Sequence, residues 1–251
     1  MDNNNNYNWS QKSVFVENQS GTVSKKFFAS VSLWMFVALL LSTVSALVMA
    51  NSPEMRSYLF NETTGGLNIL GYVAMFAPLV LVMAMSAGLS RFSYTAILGI
   101  FILYSILTGV SLSFILLTYT AASVAGCFGA AAAIFGVMAF LGYTTETDLT
   151  KFRSILFAGV IGLVIAMLIN TFLLKSSGFD YIISFAGVAI FTALTAYKVQ
   201  ELKRIGAGIE ENGATMEDDD PKKLAIMGAL SLYLSFVNIF LFLLRIFGGR
   251  K

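Results

Sequence analysis

The side chains best equipped for chemistry sit inside apolar stretches of the chain, in three regular stripes. Ser231, Ser235 and Asn238 stand at i, i+4 and i+7, which a helix gathers on one face. Thr192, Thr195 and Lys198 recur every three residues, again on one face, and Tyr104, Thr108 and Ser111 follow the same rule. In hydrocarbon such groups are costly and turn toward a bundle interior or a water-filled cavity. Three stripes of this kind could therefore line a single polar cavity. The other reading is hydrogen bonding by the hydroxyls, between helices or back to their own. Lys198 also has two readings. It is either a headgroup-snorkelling residue at a span end or a buried ammonium that gates a pore and repels cations. A Ser–Lys dyad of Ser235 with Lys198 is chemically conceivable, but no motif around Ser235 supports a nucleophile.

What the chain lacks constrains it further. It contains no His, which removes His-based general acid–base work, His–carboxylate triads and the common zinc sites. A single cysteine, Cys127, makes no internal disulfide and no CxxC pair. None of the apolar stretches carries Asp or Glu; the nearest carboxylates are Glu62, Glu146, Asp148, Asp180 and Glu201, in loops or at span ends. Calcium sites want carboxylate oxygens, and membrane proton relays are built from Asp, Glu or His. A net charge of +2 is too small to suggest a nucleic-acid partner. The chain reads as non-enzymatic, with no cofactor and no metal site.

The elements that must position these residues follow from hydropathy. Of the 251 residues 57% are apolar and 12% charged, against about 45–50% and about 25% in soluble domains. A bilayer core takes about 20 apolar residues per helix. Uncharged runs predict seven spans, at about 27–50, 68–89, 95–117, 121–142, 154–174, 181–197 and 224–246. The expected fold is all-α, a polytopic membrane domain over residues 25–248 behind a disordered polar arm at 1–24, with no secretory signal. Small residues at spacings of three and four in the fourth span (Ala122, Gly126, Gly129, Ala130, Ala133 and Gly136) predict that this helix is the central one.

Loops add orientation. With the N-terminus cytoplasmic, the inner side collects Lys12, Lys25, Lys26, Arg91, Lys151, Arg153, Lys198, Lys203, Arg204, Lys222 and Lys223. The outer side then holds only Arg56, Lys175, Arg245, Arg250 and Lys251. In the loop after the fourth span Thr147 or Asp148 is placed to cap the next helix. Residues 198–223, with Glu210, Glu211 and the acidic run 217–220, read as a solvated inner linker.

Residues 229–240 (ALSLYLSFVNIF), running on to 244–248 (LRIFG), resemble the last span of the transmembrane Bax inhibitor motif family. Residues 191–197 (FTALTAY), followed by Gln200, resemble that family's sixth span, and 142–150 resembles the corresponding loop of bacterial members. The likeness runs from Lys25 to Gly248. It implies a seven-helix fold in which a central helix is surrounded by the others, in a bacterial inner membrane. It also implies a pH-modulated calcium leak or a stress regulator, and in bacteria association with a membrane-bound AAA protease. Members carry Asp after Thr-Ala-Tyr and Asp within Leu-Tyr-Leu-x-Phe, a pair taken to form a pH-sensing latch with a basic partner. Here those positions hold Lys198 and Ser235, and Arg91 corresponds to the basic partner. Candidate latch or pore residues are therefore Lys198, Ser235, Asn238, Thr195 and Arg91. Two functions remain open: an ion-leak protein or its non-conducting relative, and a regulatory interaction protein handled by an AAA protease.

Overall fold

The structure, a computed structural model, describes residues 21–59 and 66–251. Its helices are α1 (Thr22–Asn51), α2 (Pro53–Leu59), α3 (Ile69–Gly88), α4 (Tyr94–Thr118), α5 (Ala121–Thr144), α6 (Arg153–Ile169), α7 (Ser177–Glu211) and α8 (Asp219–Phe247). A 3-10 turn at Leu149–Phe152 leads into α6, and a π turn at Asn170–Leu174 extends it. All but the short α2 are long and apolar enough to cross a membrane, which gives the seven expected spans and an all-α polytopic membrane fold. Their starts are set by local chemistry. The hydroxyls of Ser93, Thr120 and Ser176 each accept a first-turn N–H, of Ala96, Ser123 and Phe179.

The central helix is α8, and this corrects the expectation for the fourth span. In its most apolar window α8 is 72% buried, whereas α5 is 11% buried. α8 packs against α1, α4, α5 and α7, with Ile226, Tyr233, Ile239 and Leu244 wholly enclosed. The small residues of α5 look outward: Ala122, Gly126, Gly129, Ala130, Ala133 and Gly136 are all exposed. A Cβ added at Gly126, Gly129 or Gly136 would meet nothing. Small side chains permit close approach without compelling it. Only Gly142, at the far end of α5, is used that way, seated on the backbone of Ala196 in α7.

The sixth span is also longer than expected. α7 has 35 residues, about 52 Å at 1.5 Å per residue, against a hydrocarbon core of about 30 Å. Residues 198–211 are therefore helix and not linker, and their buried side chains (Val199, Gln200, Leu202, Ile209) face the rest of the bundle. They pack with the start of α1 and the start of α8. Gly206 abuts Ser24 and Phe27, and Gly228 abuts Leu202 and Val31. The solvated segment shrinks to the turn between Glu211 and Asp219. α1 begins at Thr22, inside the expected arm, because Glu210 of α7 accepts the N–H groups of Gly21 and Ser24. Residues 1–20 of that arm lie outside the described residues.

Candidate functional site

Of the five candidate residues, three return their hydrogen bonds to their own helices. Thr195 Oγ1 donates to the Phe191 carbonyl at 2.8 Å, Ser235 Oγ to Ser231 at 3.1 Å and Asn238 Nδ2 to Leu234 at 2.8 Å. Lys198 is half-buried two-thirds of the way along α7, with the charges of Glu201 and Arg153 nearest to it. It forms no ion pair among the described residues. Arg91 is exposed in the turn between α3 and α4, its N–H closing on the Gly88 carbonyl. No hydrogen bond or ion pair among the described residues joins any two of the five. A hydroxyl on a helix can satisfy itself on the carbonyl one turn back, as those of Thr195 and Ser235 do here. Ser111 of the third stripe instead donates across to the Ala74 carbonyl of α3 at 2.6 Å.

What the structure builds is a clamp at the end of the bundle where α5 turns into α6. Gln200, buried on α7, reaches into that turn. Its Oε1 accepts the Leu149 N–H at 2.8 Å, and its Nε2 donates to the carbonyls of Thr147 at 2.8 Å and Thr145 at 3.4 Å. One turn on, Lys203 Nζ donates to the Tyr143 carbonyl at 2.9 Å and lies 5.0 Å from the centre of the Tyr143 ring. Arg204 Nη2 meets Asp148 Oδ1 at 2.7 Å. Gln200, Lys203 and Arg204 stand at i, i+3 and i+4, one helix face.

Asp148 caps the 3-10 turn as the sequence suggested, accepting the Thr150 N–H at 3.0 Å and its hydroxyl at 2.7 Å. The Thr150 hydroxyl first, and then Arg204, hold the Asp148 carboxyl well below the usual carboxylate range. Of the two acids that could revive a titratable latch at Lys198, Asp148 is thus engaged with Arg204, while Glu201, whose charge acts on Lys198, accepts from the Tyr197 hydroxyl at 3.2 Å. The clamp was hidden in the sequence because residues 198–223 read as linker. Applying the helical period past Lys198 would have put Gln200, Lys203 and Arg204 together, opposite an acidic turn.

A second polar group lies deeper. The Tyr104 and Tyr233 rings meet edge to face, with centroids 5.7 Å apart and planes at 79°. The Tyr233 hydroxyl stands beside the Ser42 and Thr108 side chains yet forms no hydrogen bond with a described residue. Ser42 also lines a cavity of about 370 Å³ between α1, α4, α5 and α8. Its walls are almost wholly apolar, and none of the five candidates faces it. Among the described residues no group of three Cys or carboxylate side chains gathers to hold a metal ion.

The family model for the inhibitor of apoptosis-promoting Bax1 matches residues 24–251. The inner membrane protein YbhL of Escherichia coli (strain K12) is 42% identical over 225 residues, covering 90% of this chain and 92% of that protein. A protein of Borreliella burgdorferi is 38% identical over 236 residues, covering 94% and 97%. One of Rickettsia prowazekii is 36% identical over 229 residues, covering 90% and 91%.

Proposed function

The chain belongs to the family of the inhibitor of apoptosis-promoting Bax1, and we propose that it is a non-conducting regulatory member, acting from the cytoplasmic face of a bacterial inner membrane. The observation that carries this reading is at the two latch positions. Lys198 stands at one, half-buried between the charges of Glu201 and Arg153, and Ser235 at the other donates to its own helix. An ammonium cannot bind calcium, and a serine has no proton to trade at physiological pH. The loop acid Asp148 cannot substitute, since Arg204 and Thr150 occupy it. A cation path through this site would have to pass a positive charge.

The inner-membrane placement follows the name of the Escherichia coli relative, and the cytoplasmic N-terminus follows the distribution of Lys and Arg. In this reading the working surface is the end of the bundle formed by α1, α7, α8 and the clamped turn. The polar segment 1–20, which precedes α1 in sequence, is what a membrane-bound AAA protease would grip. The protein carries out no catalysis. The test is reconstitution of the full chain into liposomes loaded with a calcium indicator, at pH values from 5 to 8. No calcium entry above empty liposomes is expected at any pH. Acid-dependent entry would overturn the non-conducting reading. Deleting residues 1–20 should lengthen or shorten the protein's half-life in cells, and an unchanged half-life would remove the protease from the account.

A further inference from the structure

The cavity beneath the α4–α5 turn has no part in the reading above. α5 rests on α7 and α8 and scarcely touches α4, its neighbour in sequence, or α1. The gap left between them is the cavity, floored by Phe236 and Phe240 of α8. At about 370 Å³ it is within the range of small-molecule sites, about 300–1,000 Å³. It is half open: Leu47 and Phe128 at its edge are 47% and 39% exposed. Because these residues belong to membrane-spanning helices, the medium at the opening is lipid hydrocarbon.

The rim is cationic. The last residues of the described chain fold back across the α4–α5 turn, with the Thr120 N–H on the Gly249 carbonyl and the Lys251 N–H on Thr118. Lys251 Nζ donates at 2.8 Å to the carbonyl of Leu116, whose side chain lines the cavity. An ammonium has three donors, so two remain. Arg250 is exposed on the same segment. Ala121, the first residue of α5, is also in the wall, so the positive end of that helix dipole faces the rim. No carboxylate lines the cavity.

We propose that this cavity holds one acyl chain of an anionic phospholipid, whose phosphate is bound by Lys251 and Arg250 at the rim. The apolar walls accept the chain, and the cations select the headgroup. One basic residue near an anionic membrane surface supplies roughly five-fold preference.

The experiment uses the full chain in phosphatidylcholine nanodiscs doped with diazirine-acyl phosphatidylglycerol or, in parallel, diazirine-acyl phosphatidylcholine. Adducts are mapped by mass spectrometry. The expected result is labelling of residues 112–116 and 121–128, at least about five-fold stronger with the glycerol lipid. Replacing Arg250 and Lys251 together by Ala should bring the two lipids to parity. Ala125→Phe, which fills the cavity from its wall, should remove these adducts and leave those on the exposed Leu79 and Val80 of α3 unchanged. Equal labelling by both lipids in the parent would overturn the proposal. So would undiminished labelling in Ala125→Phe. Should Ala125→Phe not fold, the charge variant decides alone.

Discussion

Replacing Gln200 by Ala leaves the Leu149 N–H and the Thr147 carbonyl without the partner that closes the α5–α6 turn. Gln200 is 5% exposed, so its own amide also has no water to fall back on in the native state. Each net hydrogen bond contributes about 1 kcal/mol, and a buried group left unpaired costs about 1–3 kcal/mol. Two good bonds are lost, and the third, at 3.4 Å, is weak. Leu149 is half-buried, so its N–H recovers some hydration. The expected loss is therefore about 2 kcal/mol, local to the turn. That corresponds to roughly thirty-fold faster amide exchange in residues 145–150. Arg204→Ala removes an ion pair whose two side chains are both nearly half exposed, and exposed pairs of this kind contribute little, so at most about five-fold faster exchange is expected. Hydrogen exchange with mass-spectrometric readout on the protein in detergent separates the two. If Arg204→Ala loosened the turn more than Gln200→Ala did, the buried amide would not be the clamp and the reasoning would fail.

Other consequences are equally accessible. Lys198→Asp combined with Ser235→Asp should create acid-tuned calcium entry in the liposome assay; a double variant as silent as the parent would show that the two positions do not form a latch. The carboxyl of Asp148 titrates below its usual range, so the stability it contributes is present above the unfolded-state value of about 4 and is lost only as pH falls through the lower folded value. Exchange protection of residues 148–152 should accordingly be flat from pH 7 down to about 4. Thr150→Val should move its loss upward, and a transition between pH 5 and 6 in the parent would contradict the assignment. Gly142→Ala drives a Cβ into the Ala196 backbone and should cost about 1–3 kcal/mol in detergent unfolding. Gly129→Ala, in mid-helix and facing open space, should leave stability unchanged or raise it by up to about 1 kcal/mol, and a destabilisation equal to that of Gly142→Ala would argue against the outward placement of the α5 stripe.

Much of the architecture was legible because it depends on local properties. Uncharged runs of sufficient length define spans wherever they occur, and Asp148 announces the helical turn that follows it. The departures at Lys198 and Ser235 were also visible, since they break a motif whose other residues are present. Burial was not. In water an apolar face must point inward, but in a bilayer lipid is as apolar as the core, so hydropathy alone does not distinguish α5 from α8. The small residues of α5 pointed to the wrong helix for that reason.

The partners of the hydroxyl stripes were hidden for a related reason. Spacing puts Thr195, Ser235 and Asn238 on helix faces, but whether they bond across helices or one turn back depends on what lies opposite. The charged stretch after Lys198 looked like a linker because charge outweighs periodicity in a linear reading. Val199, Leu202 and Ile209 find apolar partners on α1 and α8 only once those helices have crossed the membrane and returned to the same side.

The sequence by itself determined that this protein spans a membrane seven times and carries Lys198 and Ser235 where the family resemblance leads one to expect acids, because span length and residue identity are properties of a single stretch of chain. The tertiary structure alone decided that α8 is the axis, that Gln200 and Arg204 close the α5–α6 turn, and that an apolar cavity opens beside α5 under a cationic rim. Each of these depends on which surfaces distant helices present to one another, and a lipid solvent leaves that choice to shape and hydrogen bonding rather than to hydrophobicity.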